Sequence, residues 1–132
     1  MPKTVLTIDD DTAITELLAM LLRTHGYEVK TVNTGEDGVD AIKKMNPHVV
    51  ILDLMMPKMD GFAVCKELQD PRWSKYRDIP ILILTSVREE ASRRRYELET
   101  GLALDVDDYV EKPMSPDVLL KRVSTLIKRE KS

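Results

Sequence analysis

Asp53 follows directly on Val49-Val50-Ile51-Leu52 and precedes Leu54-Met55-Met56-Pro57-Lys58-Met59-Asp60-Gly61. Such an apolar, β-branched run has the pattern of a strand covered on both faces, with no place for a carboxylate along its length. Asp53 therefore marks the carboxyl end of that strand, where parallel α/β sheets put their ligands. Three other strand-like runs also end in reactive groups. Val5-Leu6-Thr7-Ile8 runs into Asp9-Asp10-Asp11, Ile81-Leu82-Ile83-Leu84 into Thr85-Ser86, and Asp107-Asp108-Tyr109-Val110-Glu111 into Lys112-Pro113. In a parallel sheet these ends share one edge, so the groups can converge. At an effective dielectric near 20, two carboxylates about 4 Å apart repel by roughly 4 kcal/mol. Such a cluster calls for a bound proton or a cation. Oxygen-only ligands favour a hard divalent ion, and few protein ligands with several waters suit Mg2+. With a hydroxyl and an ammonium alongside, the chemistry is that of a phosphoryl group. The cation and Lys112 would neutralise its oxygens, Thr85 would donate a hydrogen bond, and Asp53 would be the nucleophile.

The elements that must position these groups follow from periodicity and end signals. Asp11 or Thr12 can cap a first helix, in which Ile14, Leu17, Leu18, Leu21 and Leu22 keep helical spacing and Gly26 closes the end after His25. Tyr27 to Val32 alternates weakly and reads as a second strand. Thr34-Gly35-Glu36-Asp37 opens a second helix with Gly38, Ala41, Ile42 and Met45 inward, and Asn46-Pro47 ends it. After the Asp53 loop, a third helix is expected from about Phe62 to Gln69, with Val64 and Leu68 apolar. Asp70 to Asp78 reads as loop, and Pro80 introduces the fourth strand. A charged fourth helix runs from about Arg88 to Glu99, and Gly101 ends it. Ser115-Pro116-Asp117 has helix-start chemistry, and Leu119, Val123, Leu126 and Ile127 form the inner stripe of a final helix. Five strands alternating with five helices predict parallel βαβ units with right-handed crossovers and helices on both faces. The expected architecture is an α/β, three-layer, doubly wound fold.

The 132 residues suit one domain, taken as 1–127, with a polar tail or the start of a linker at 128–132. The net charge of −3 argues against a nucleic-acid-binding surface, which tends to be basic. No apolar run approaches a membrane span, so membrane insertion is not expected. A single cysteine, Cys65, cannot form an internal disulfide, which fits a reducing cytoplasm.

Along its whole length the pattern resembles the receiver domain of bacterial two-component response regulators. Asp9-Asp10 resembles the acidic pair of that family, and Asp53 through Asp60-Gly61 its phosphoacceptor segment. Thr85-Ser86 is similar to the switch hydroxyl and its small neighbour, and Tyr109-Val110-Glu111-Lys112-Pro113 to the aromatic-x-x-Lys-Pro signature. The resemblance implies a flavodoxin-like (βα)5 sheet in the order 2-1-3-4-5. It implies that a sensor histidine kinase or phosphotransfer protein phosphorylates Asp53 with Mg2+ (or Mn2+) held by Asp10, Asp53 and the backbone carbonyl of Met55, Asp9 acting mostly through water. Thr85 would then move toward the acyl phosphate and Tyr109 would turn inward. That would rearrange the face made by the fourth helix, fifth strand and fifth helix, which meets an output domain or effector protein or a second copy in a phosphorylation-dependent homodimer. The domain would be a signalling unit that assists its own phosphorylation and slow dephosphorylation rather than an enzyme. Met55 and Val87 occupy the positions that influence hydrolysis in this family, and neither can orient a water. One departure stands out: from Thr85 to Lys112 the chain is about five residues longer than the family pattern, with the surplus in Gly101-Leu102-Ala103-Leu104-Asp105-Val106.

Blander readings exist for each residue. Asp53 could be a turn acid, Asp9 and Asp10 mere capping acids, and Lys112 a solvated lysine. One cap needs one acid, however, and Asp11 is assigned to it. Arg93-Arg94-Arg95 reads as a solvated helix face, and the isolated His25 and His48 read as structural. A haloacid-dehalogenase-like phosphatase also uses an Asp nucleophile, Mg2+, Thr and Lys. Its D-x-D-x-[TV] signature meets Ala13 at the fifth position here, and it leaves Asp53 unexplained. A receiver that is never phosphorylated and serves only as a binding module is the other alternative.

Overall fold

The apolar runs Val49–Asp53 and Ile81–Thr85 are strands that end on their first charged or hydroxyl residue. The computed structural model describes residues 3–53, 64, 66–67, 70, 78–85, 108–111 and 115–128. Within them, β1 (Thr4–Ile8), β2 (Glu28–Val32), β3 (Val49–Asp53), β4 (Ile81–Thr85) and β5 (Asp108–Glu111) form one sheet. All pairings are parallel, and the order is β2-β1-β3-β4-β5. The chain returns past β1 after β2, so β1 and β3 are neighbours whose carboxyl ends flank the point where the strand order reverses. Ile8 pairs with Leu52, Asp53 with Leu84, and Thr85 with Glu111. The strand ends are therefore level along one edge.

Side chains alternate across the sheet and build two cores. Leu6, Ile8, Val50, Leu52, Ile81 and Ile83 pack with Val64 and with Val39, Ala41 and Ile42 of α2 (Gly35–Met45). Val5, Val49, Ile51, Leu82, Leu84 and Val110 pack on the other face. Their partners are Leu18 and Leu22 of α1 (Thr12–Thr24) and Leu119, Val123 and Leu126 of the C-terminal helix Pro116–Lys128. All five residues of β3 are buried. The third and fourth helices expected from the sequence lie mostly or wholly outside the described residues; Val64, Lys66 and Glu67 are helical. Among the described residues no helix is long and apolar enough to cross a membrane.

The helix ends follow the local chemistry. Asp11 is the N-cap of α1, its side chain accepting from the N–H groups of Ala13 and Ile14. Gly26, at φ +90°, takes the left-handed turn just past that helix. Thr34 caps α2 by accepting from the Asp37 N–H, and Asn46 ends it in the left-handed region at φ 47°. Gly38 lets α2 lie against β1: a Cβ there would stand 2.5 Å from Ile8 Cδ1.

One expectation fails. Helical spacing groups Leu17 on one face with Ile14, Leu18, Leu21 and Leu22, yet Leu17 is 59% exposed, and Met20 is 67% exposed. The buried residues are Thr15, Leu18, Ala19 and Leu22, a set spaced i, i+3, i+4, i+7. The stripe toward the sheet is centred between Leu18 and Leu22. Small Thr15 and Ala19 complete it where the helix approaches the strands, and Leu17 falls about 100° away from Leu18.

The outer edge of β2 is partly covered. Glu28 donates its N–H to Lys3 O at 2.9 Å on the β1 side, so the alternating Val29 carbonyl faces the free edge. There the Arg23 guanidinium donates to it at 2.9 Å. At the far end of the strands, Thr4 donates its N–H to His48 Nδ1 at 3.0 Å, and His48 donates its own N–H to Thr4 O at 2.8 Å.

Candidate functional site

The end of β1 turns two acids toward the switch point and gives the third to the next helix. Asp9 is 2% exposed, and its Oδ1 accepts from the Asp11 N–H at 3.0 Å. Its backbone is tied to β2: Asp9 N–H donates to Val32 O at 3.2 Å, and Asn33 Nδ2–H donates to Asp9 O at 3.0 Å. Asp10 is exposed. Asp53, at the end of β3, is 4% exposed. One carboxylate oxygen from each of Asp9, Asp10 and Asp53 lies within 4.8 Å of the others.

Two buried carboxylates at that separation repel by about 3 kcal/mol at an effective dielectric near 20. That exceeds the roughly 1 kcal/mol that an ordinary surface ion pair contributes, so the cluster favours a strong counter-charge. The donor set is all carboxylate oxygen, hard and anionic. Two members are buried, while Asp10 faces solvent. These residues fit a hard divalent cation.

The other residues singled out in the sequence divide into two groups. Thr85 is the last residue of β4, one position beyond the partner of Asp53, and Tyr109 lies in β5 opposite Ile83. Both therefore stand on strands that reach the site edge. Met55, Ser86, Val87, Lys112 and Pro113 lie outside the described residues, as does the longer segment at residues 101–106. Asn33 was not anticipated: nothing in its sequence neighbourhood indicates that its side chain reaches Asp9. On the β5 flank, Arg122 Nη1 of the C-terminal helix donates to both oxygens of Asp108 at 2.9 Å, joining that helix to the strand.

Comparisons with known proteins agree with this geometry. The family model described as "Response regulator receiver domain" matches residues 5–124. The "Probable transcriptional regulator ycf27" of Cyanophora paradoxa is 42% identical over 127 residues, covering 96% of this chain and 49% of the relative. The response regulator MprA of Mycolicibacterium vanbaalenii is 39% identical, covering 98% and 52%. The chain thus spans about half the length of the curated relatives it matches. Among solved structures, the signal receiver domain of a signal transduction histidine kinase from Syntrophus aciditrophicus aligns with a TM-score of 0.80 at 31% identity, covering 98% of this chain and 96% of that one. The chemotaxis protein CheY4 of Vibrio cholerae aligns at 0.78 and 28% identity, covering 96% and 99%.

Proposed function

This chain belongs to the response regulator receiver domain family, and from that premise we propose that Asp53 is its phosphoacceptor. The observation that carries the reading is the meeting of Asp9, Asp10 and Asp53 within 4.8 Å at the carboxyl ends of β1 and β3. The receiver unit is taken as residues 1–127. The phosphodonor is a phosphohistidine on a sensor histidine kinase or phosphotransfer protein. An Asp53 carboxylate oxygen forms the new O–P bond as the donor P–N bond breaks. The electron pair leaves on the imidazole nitrogen, which takes a proton from water. Asp10, Asp53 and the Met55 backbone carbonyl would hold a divalent cation, Mg2+ or Mn2+, with Asp9 acting mostly through water. When bound, that ion supplies positive charge opposite the phosphoryl oxygens. Asp53 is nearly enclosed on its own strand, while Asp10 meets solvent beside it.

In the same reading, Thr85 donates to the phosphoryl group, Lys112 before Pro113 neutralises it, and small Ser86 leaves room beside it. Tyr109 follows Thr85 inward, which changes the face near β5 that meets an output domain, an effector or a second copy. This is switching rather than turnover, in the cytoplasm and without direct nucleic-acid contact. The phosphatase and binding-only alternatives gain nothing from the comparisons.

The test is intact mass after incubation with acetyl phosphate. One phosphoryl adduct is expected with Mg2+ and none in its absence; an adduct that forms equally well in chelator would overturn the reading. The same assay followed over time addresses lifetime. Met55 cannot orient an attacking water, so the acyl phosphate should be long-lived. Met55→Asn, which introduces an amide that can orient water, should shorten its half-life several-fold. An unchanged decay rate would remove Met55 from that role.

A further inference from the structure

We propose that Asn33 is a positioning residue for the cation site, holding the peptide that joins Asp9 to Asp10; this rests on the metal reading above. The β1–β2 ladder shows why such a residue is needed. Glu28 N–H donates to Lys3 O at 2.9 Å, and Asp9 N–H donates to Val32 O at 3.2 Å. In a parallel ladder the next rung would carry the N–H two residues beyond Val32, that of Thr34, to the Asp9 carbonyl. The chain has by then left the sheet. Thr34 is the N-cap of α2, and its Oγ1 is taken up by the Asp37 N–H at 3.1 Å. Asn33 supplies the donor instead, its side-chain amide reaching Asp9 O at 3.0 Å across 24 residues of sequence.

The consequence falls on the acids. The Asp9 carbonyl belongs to the peptide plane between Asp9 and Asp10, so its orientation sets the directions in which both side chains leave the backbone. Asp9 Oδ1 is already held by the Asp11 N–H, and the Asn33 bond fixes the plane from the β2 side. The acidic pair is thereby held in the spacing that brings its oxygens to Asp53, against carboxylate repulsion that would spread them. The residue type matters. Alanine has no donor, and aspartate would bring a further carboxylate to the cluster with nothing to donate.

The experiment is calorimetric titration of the unphosphorylated protein with Mg2+, for wild type, Asn33→Ala, Asn33→Gln and Thr34→Ala. Loss of a hydrogen bond that orients ligands should raise the Mg2+ Kd of Asn33→Ala about three- to tenfold. Asn33→Gln keeps an amide donor on a longer arm and should recover part of that loss. Thr34→Ala removes the neighbouring helix cap and should lower the melting temperature while leaving the Mg2+ Kd within about twofold of wild type. An Asn33→Ala value within about twofold of wild type would overturn the proposal. So would an equal weakening in Thr34→Ala, which would show that any loosening of this turn has the same effect. Absence of saturable Mg2+ binding in the wild type would overturn the metal reading itself, and the proposal with it.

Discussion

Asp53→Asn is expected to abolish the phosphoryl adduct altogether while leaving the fold in place. The amide occupies nearly the volume of the carboxylate, so the end of β3 and its pairing with Leu84 should survive. What the amide lacks is the anionic oxygen that attacks phosphorus, and no other carboxylate of the cluster sits at the end of the central strand. Asp9 is held by the Asp11 N–H, and Asp10 starts from the more exposed side. Intact mass after treatment with acetyl phosphate and Mg2+ reads the chemistry, and circular dichroism with thermal melting reads the fold. A folded Asp53→Asn protein that still gained one adduct at the wild-type rate would show that another residue is the acceptor.

The largest expected loss of stability comes from the residue just before it. Leu52 is fully buried, pairs with Ile8 and Ile83, and lies in the core cluster closed by α2. Truncation to alanine removes its contacts and leaves a cavity between two layers that cannot collapse far. A cost of about 2–5 kcal/mol is expected. That is a large share of the roughly 5–15 kcal/mol that holds a domain of this kind together. Leu17→Ala on α1, by contrast, should change stability by no more than about 0.5 kcal/mol, because Leu17 is largely exposed. Urea unfolding of the two variants measures both, with the midpoint shifted for Leu52→Ala and the slope unchanged. Comparable losses at the two positions would contradict the assignment of the α1 face.

That contrast also shows what could be read from the chain before folding. Strand positions were legible because a run such as Val49 to Leu52 can only be covered on both faces. Helix ends were legible because caps are local: Asp11, Thr34 and Asn46 each act on backbone groups within four residues. Convergence of Asp9, Asp10 and Asp53 followed from strand-end position alone once the sheet was taken as parallel. Leu17 was misplaced because five leucine and isoleucine positions satisfy helical spacing on α1, and small Thr15 and Ala19 carry no hydrophobic signal strong enough to re-centre the stripe. Val39, buried in α2, was overlooked for a similar reason: inward Gly38 beside it already filled the expected position. Asn33 could not have been found at all, since its role depends on the register of two strands distant in sequence. The stretch after Asp53 and the segment from Ser86 to Asp107 carry further expectations that lie outside the described residues.

The most direct test of the central claim is to locate the phosphoryl group. After phosphorylation with acetyl phosphate and Mg2+, borohydride reduces an acyl phosphate to the alcohol, marking the acceptor permanently for peptide sequencing by mass spectrometry. The account predicts that Asp53 is the residue converted, to homoserine, and that Asp9 and Asp10 remain aspartate. Conversion at Asp9 or Asp10 with Asp53 intact would contradict it.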